Sequence, residues 1–178
     1  MSHHVAIIGA GLIGRAWAIV FARAGFDVVL HDISAEALAK AGESIAAAAA
    51  DLVAAGLVAD AGFTAHIRRE RDLAAALAGV DYVQECGPEL LEAKQALFAE
   101  LEATCEPGTI LASSTSGIPA SDFAANLAHP ERCLVAHPVN PPYLIPLVEL
   151  VPSPATSDVV TERARALMVD AGQVPITV

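Results

Sequence analysis

The sequence predicts an α/β fold: a doubly wound, mostly parallel sheet covered by helices on both faces, with a helical excursion after the second strand. Three observations carry that prediction. Short apolar runs alternate with helix-favouring segments along the whole chain. The first run leads directly into a Gly-x-Gly-x-x-Gly string that opens a helix. An acid, Asp32, closes the second run.

Each element follows in order. VAIIG (5–9) is a short apolar strand ending in glycine, and LIGRAWAIVFARAG (12–25) has apolar residues at helical spacing. DVVLHD (27–32) is the second strand. Residues 34–56 are alanine-rich and helix-favouring, with Ser34 as the N-cap, and Gly56 and Gly62 end that helix. The stretch 34–66 is longer than an ordinary crossover, which makes it the excursion from the sheet. A short strand near Ile67 and a helix over 72–79 come next. DYVQE (81–85) is a strand, 88–105 an amphipathic helix, and TILAS (109–113) a strand. A helix over 118–128 precedes the strand CLVAH (133–137). A proline-rich loop leads to LVELV (147–151), then to a helix over 156–172 and a last strand, VPITV (174–178). There is no internal repeat and no Gly/Ser-rich linker.

Composition excludes several function classes. The chain has 178 residues, the size of one domain or two small ones, and 54% hydrophobic residues supply a core. Net charge is −11, from 21 acids against 10 bases, which disfavours a nucleic-acid partner. No apolar stretch is long enough and free enough of charge and glycine to span a membrane. The N-terminus shows no basic region and no cleavage site of a secretory leader. Cys86, Cys105 and Cys133 are odd in number and read as thiols of a reducing, cytoplasmic compartment. His31, His66 and His129 have no partners at metal-ligand spacing, so no metal site is expected, and His3 and His4 read as a mobile terminus.

The glycine string is Gly9-Ala10-Gly11-Leu12-Ile13-Gly14, and Asp32 lies 18 residues beyond it. In this strand–turn–helix context the pattern is a Rossmann dinucleotide fingerprint. Gly9 permits the tight turn, Gly11 lets the backbone approach a pyrophosphate, and Gly14 allows the helix to pack close to the strand. The helix N-terminus offers free N–H groups and a positive dipole end. Asp32 suits the hydroxyls of the adenine ribose and repels a 2′-phosphate, and no Lys or Arg follows it until Lys40. NAD is therefore favoured over NADP.

A second informative region spans 112–151. Ser116 follows the fifth strand, His137 ends the sixth and Glu149 lies within the seventh. Ligands of parallel sheets gather at the carboxyl ends of the strands. A histidine there can serve as a general base near neutral pH. A Glu inside LVELV reads as buried and therefore paired, and His137 is the natural partner. Cys86, after a strand in the cofactor half, reads as a packing residue.

The strings IIGAGLIGRAWA, VQECGPELLEAKQALFAEL, SSTSGI and AHPVNPPYLIPLVELVP resemble the NAD-binding domain of the L-3-hydroxyacyl-CoA dehydrogenase superfamily. Within it the resemblance is nearest to the lambda-crystallin branch, whose known activity is L-gulonate 3-dehydrogenase. The resemblance implies His137 as general base and Glu149 as the carboxylate that orients it. It implies Ser116 as a hydrogen-bonding partner of the reacting oxygen and Asn140 as lining the same pocket. It further implies that Glu89 and Lys94 contact the nicotinamide-ribose side of the cofactor.

The superfamily's dinucleotide domain is followed by a helical domain that carries much of a dimer interface, and residues 1–178 contain only the first. The chain is thus expected to bind NAD and to turn over poorly or not at all alone, and a homodimer would normally form through the helical domain. In the acyl-CoA branch, basic residues of the excursion hold coenzyme A phosphates. Residues 34–66 carry one base, Lys40, against Glu36, Glu43, Asp51 and Asp60, so a free 3-hydroxy acid is the favoured substrate. Two alternatives stand beside it. One is a 3-hydroxyacyl-CoA dehydrogenase domain of fatty-acid oxidation; the other is a non-catalytic NAD-binding or structural module.

Overall fold

A computed structural model describes residues 3–178; the first two residues of the N-terminal stretch read above lie outside the described range. Eight strands form one sheet in the order β3-β2-β1-β4-β5-β6-β7-β8. They are β1 His4–Ile8, β2 Asp27–His31, β3 Ile67–Glu70, β4 Tyr82–Glu85, β5 Ile110–Ser113, β6 Cys133–Pro138, β7 Leu147–Pro152 and β8 Val174–Thr177. All neighbours are parallel except β6 and β7, which are antiparallel. From β3, at one edge, the chain crosses back over β2 and β1 to β4, which pairs with the other side of β1, so the switch point falls between β1 and β4.

Among the described residues the α-helices are α1 Leu12–Arg23, α2 Ala35–Ala54, α3 Leu73–Leu77, α4 Leu91–Thr104, α5 Ala120–Phe123 and α6 Asp158–Asp170. α1, α2 and α6 cover one face of the sheet, over a core that includes Trp17, Phe21, Leu30, Ile45, Tyr82 and Met168. Phe98, Leu101 and Phe123, of α4 and α5, pack with Ile8, Val83 and Leu111 on the other. Period-2 alternation sorts the strand residues between the faces. Trp17, Phe21, Phe26 and Tyr82 form an aromatic chain, with centroids 5.3–6.0 Å apart, that fixes α1 against the sheet.

Ser34, Asp72 and Ser157 each accept a backbone N–H of the first helical turn, which sets where α2, α3 and α6 begin. The excursion is α2 followed by a 3-10 turn, Gly62–His66, and Leu38, Ala41, Ile45, Ala49 and Leu52 are its buried stripe.

Three expectations change. The helix expected over 118–128 is only Ala120–Phe123. The Glu102 carboxylate of α4 takes the N–H groups of Ala128 and His129, at 3.0 and 2.7 Å, and draws that backbone out of a helix. The helix expected from 88 starts at Leu91, because Gly87 N–H bonds the Glu85 side chain and Leu90 N–H closes a turn onto Pro88 O. Glu149 is not buried: its side chain is 42% exposed, although it is paired as expected.

Candidate functional site: a nucleotide cradle and a histidine cleft

The cradle is built almost entirely from backbone. Gly9 has φ +108°, and a Cβ there would stand 2.7 Å from the Cys86 carbonyl oxygen. A Cβ on Gly14 would lie 1.8 Å from Gly9 O and 3.3 Å from Ile7 Cγ2, so α1 approaches β1 only because position 14 has no side chain. Gly11 differs, since a Cβ there would meet nothing within 4 Å. It faces open space at the start of α1. Gly11, Leu12, Ile13 and Gly14 lie at the helix N-terminus, where N–H groups have no intrahelical acceptor.

Asp32 ties the cradle together. One carboxylate oxygen accepts Ala10 N–H and the other accepts Ser34 N–H, both at 2.9 Å. Each oxygen retains acceptor capacity for further donors. Open space at Gly11, exposed amides and an acid at the end of β2 together fit a dinucleotide's pyrophosphate and ribose.

Beyond the cradle, a cleft of about 310 Å³ opens at the carboxyl ends of β4, β5 and β6. It unites six of the residues singled out from the sequence: Ile13, Glu89, Lys94, Ser116, His137 and Asn140. His137 and Glu149 are register partners across the β6–β7 pair, and Nδ1 lies 2.9 Å from Glu149 Oε2. Antiparallel pairing puts them opposite each other on one face. A carboxylate only accepts, so Nδ1 carries the proton in the neutral ring and Nε2 is left as an acceptor.

Glu89 does not sit on a helix face. It lies in the turn before α4 and accepts from Thr115 Oγ1 and from the amides of Ser116 and Gly117, at 3.0 and 3.1 Å. Burial pushes its carboxyl up, but these hydrogen bonds and the neighbouring Lys94 ammonium outweigh that and hold it below the usual range. Lys94 is almost wholly buried, and its Nζ contacts Glu85 at 2.8 and 3.0 Å and Glu89 at 3.5 Å.

Sequence reasoning passed over Glu85. It is fully buried beneath the cleft and holds Lys94, Ser113 Oγ at 2.5 Å and Gly87 N–H at 2.6 Å. The signal was a carboxylate at the end of an apolar parallel strand, with a lysine one helical turn into the next helix. Sequence reasoning passed over Ser114 and Thr115 as well. Cys86 also lines the cleft, but burial pushes its thiol up to about 12, which keeps it protonated at neutral pH and unsuited to nucleophilic work.

Fold and cradle together define a dinucleotide-binding domain of the dehydrogenase type. Residues 4–178 match the family model of the 3-hydroxyacyl-CoA dehydrogenase NAD-binding domain, and the chain belongs to that family. Its cofactor is NAD, and members of the family are NAD-dependent dehydrogenases acting on 3-hydroxy groups. The chain is 43% identical to lambda-crystallin of Oryctolagus cuniculus over 98% of its own length and 56% of that protein's. It is 40% identical to L-carnitine dehydrogenase of Streptomyces griseus over 97% of its length and 51% of that protein's. The crystal structure of 3-hydroxybutyryl-CoA dehydrogenase from Escherichia coli superposes with a TM-score of 0.94 at 37% identity, covering 99% of this chain and 38% of that one. The chain thus spans about half the length of the curated relatives it matches.

Proposed function

We propose that this chain supplies the cofactor cradle and the proton-transfer pair for NAD-dependent oxidation of a free 3-hydroxy acid at its 3-hydroxyl. The supporting observation is that His137 lines the cleft while its Nδ1 is held 2.9 Å from Glu149 Oε2. In this reading His137 Nε2 takes the proton of the substrate hydroxyl. Glu149 keeps the ring in the productive tautomer and favours the imidazolium that forms. Bound NAD supplies the hydride acceptor, and that chemistry is the cofactor's own. Ser116 and Asn140 hold the reacting oxygen. Glu89 faces the nicotinamide-ribose side with Lys94 behind it, and Asp32 accepts from the adenine ribose.

A free acid is favoured because the excursion is acidic and its nearest cations are engaged. Arg15 donates to Ser44 Oγ at 3.1 Å, and Arg69 lies against Gly42 while donating to Leu38 O. The similarity to L-carnitine dehydrogenase supports the same class, since carnitine is a free 3-hydroxy acid. The similarity to a 3-hydroxybutyryl-CoA dehydrogenase favours the second reading, an acyl-CoA substrate.

In this reading the cation for the substrate carboxylate and any dimer contact come from outside residues 1–178. Among the described residues no helix is long and apolar enough to cross a membrane, and the three free cysteines suit a reducing cytoplasm.

The test compares L-gulonate, 3-hydroxybutyrate, L-carnitine and 3-hydroxybutyryl-CoA, first with the 178-residue chain and then with the same chain joined to the remaining half of a lambda-crystallin relative. The isolated chain binds NAD and turns over slowly; the joined protein prefers a free acid. In the joined protein His137→Ala lowers kcat on the order of 10²–10⁴-fold. Unchanged turnover removes His137 as the base, and preference for the thioester overturns the substrate class. A joined protein that binds NAD yet oxidises none of the four favours the non-catalytic module.

A further inference from the structure

A second buried polar network lies on the opposite face of the sheet from Glu85 and Lys94, and none of its members enters the reaction as described above. It begins at Tyr82, whose fully buried hydroxyl stays protonated because burial pushes its acidity well away from neutral. Tyr82 therefore donates, to Gln84 Oε1 at 2.6 Å. The Gln84 amide nitrogen donates to the Ala136 carbonyl at 3.1 Å, and a carbonyl can only accept. The orientation of the Gln84 side chain is thus fixed from both ends.

Its second N–H donates to Ser114 Oγ at 2.7 Å, and the indole N–H of Trp17 donates to the same oxygen at 3.1 Å. Trp17 and Gln84 are both buried. A serine hydroxyl has two lone pairs and one proton. Both lone pairs are taken, so the Ser114 proton is the only one of its three capacities left. The nearest partner is Cys86 Sγ at 3.3 Å, a weak acceptor. Ser114, Cys86 and Ile13 all line the cleft. Trp17 stands one helical turn after Ile13 on α1, so the helix that forms the cradle also sets the polarity of this hydroxyl.

We infer that Ser114 is a pre-oriented, one-way hydrogen-bond donor that receives the carboxamide oxygen of the nicotinamide and so selects the ring face presented to the substrate. The inference rests on the NAD reading of the cleft. A carboxamide oxygen is a far better acceptor than a thiol sulfur, so the proton gains a stronger partner when the cofactor is bound. Because the three donors behind it are buried and fixed, little reorganisation opposes that exchange.

The test is binding of NAD, thionicotinamide adenine dinucleotide and ADP-ribose to the 178-residue chain, followed by calorimetry. The thioamide keeps the shape of the carboxamide but accepts poorly, and ADP-ribose lacks the ring altogether. Native protein binds NAD about five- to tenfold more tightly than the thioamide analogue, and Ser114→Ala reduces that ratio to within about twofold. ADP-ribose binds native protein and variant alike. Ser114→Thr, which keeps a hydroxyl, restores the preference. If the variant keeps the native NAD-to-thioamide ratio, the Ser114 inference is overturned, including the case in which the substrate takes the proton instead. If ADP-ribose does not bind even the native chain, it is the cradle reading that fails. If Ser114→Ala unfolds through its two orphaned donors, the native ratio alone decides: a ratio near one overturns the inference.

Discussion

The cradle and the histidine cleft lie side by side, yet they are made in opposite ways. The cradle uses backbone at three glycines and one carboxylate, Asp32, all within one stretch from Gly9 to Asp32. The cleft uses side chains from the ends of three strands and the turn before α4, with Glu149 of β7 behind His137, held by hydrogen bonds across the sheet. The first is a steric device that tolerates no added atom at two of its three glycines. The second is an electrostatic device that tolerates shape but not the loss of a partner. The same substitution should therefore have quite different consequences in the two places.

The largest effect is expected at Gly14. Gly14→Ala would place a methyl 1.8 Å from Gly9 O, so α1 must separate from β1. NAD binding should be lost, with a clear fall in Tm. Gly11→Ala meets nothing within 4 Å, so Tm should hold while NAD affinity falls. Equal behaviour of the two variants in parallel melting and NAD titration would break the distinction between packing glycine and ligand-facing glycine.

The next effect belongs to the cleft. Lys94→Met would leave Glu85 buried without its cation, at a cost of about 3–5 kcal/mol in urea unfolding. A loss under about 1 kcal/mol would mean that Ser113 and Gly87 alone satisfy that carboxylate. Glu149→Gln should be milder for the fold, because the side chain is 42% exposed, and severe for the reaction. In the joined protein kcat should fall on the order of 10²-fold, with NAD affinity unchanged. A fall in NAD affinity instead would make Glu149 structural.

The smallest effect sharpens the border between the two regions. His31, next to Asp32, is buried, and among the described residues no side chain or backbone group is placed to hydrogen-bond either ring nitrogen with good geometry. Burial lowers its pKa below 6.5, against weaker opposing contributions from the Arg71 backbone, Asp32, Glu100 and Glu70. The unfolded chain then binds the proton more readily than the folded one, so stability should be lost as pH falls below about 6.5 toward the folded value. Carboxylates held low, such as Glu89, add their loss only at more acidic pH. Unfolding curves for native protein and His31→Leu should diverge between these windows, with the variant flatter. Parallel curves would show that His31 does not titrate there.

Much of this was readable in advance, and the reason differs by element. The alternation of strands and helices, the cradle and the N-cap Ser34 depend on neighbours close in sequence. Local rules reach that far. The shortened α5 could not be read, since it is Glu102 of another helix that takes its backbone amides. Nor could the delayed start of α4, which frees Glu89 to grip the loop after β5.

What the sequence by itself determined is the α/β class and the dinucleotide cradle. Glycine sterics and strand periodicity act over a few residues and leave few alternatives. Only the tertiary structure decided that β7 runs antiparallel to β6, which brings the half-exposed Glu149 opposite His137. It alone divided the polar residues of β4 and the end of β5 into two networks, Glu85 with Ser113 below α4 and Gln84 with Ser114 below α1. A hydrogen bond acts over about 3 Å, and which groups come that close is set by how distant strands pair.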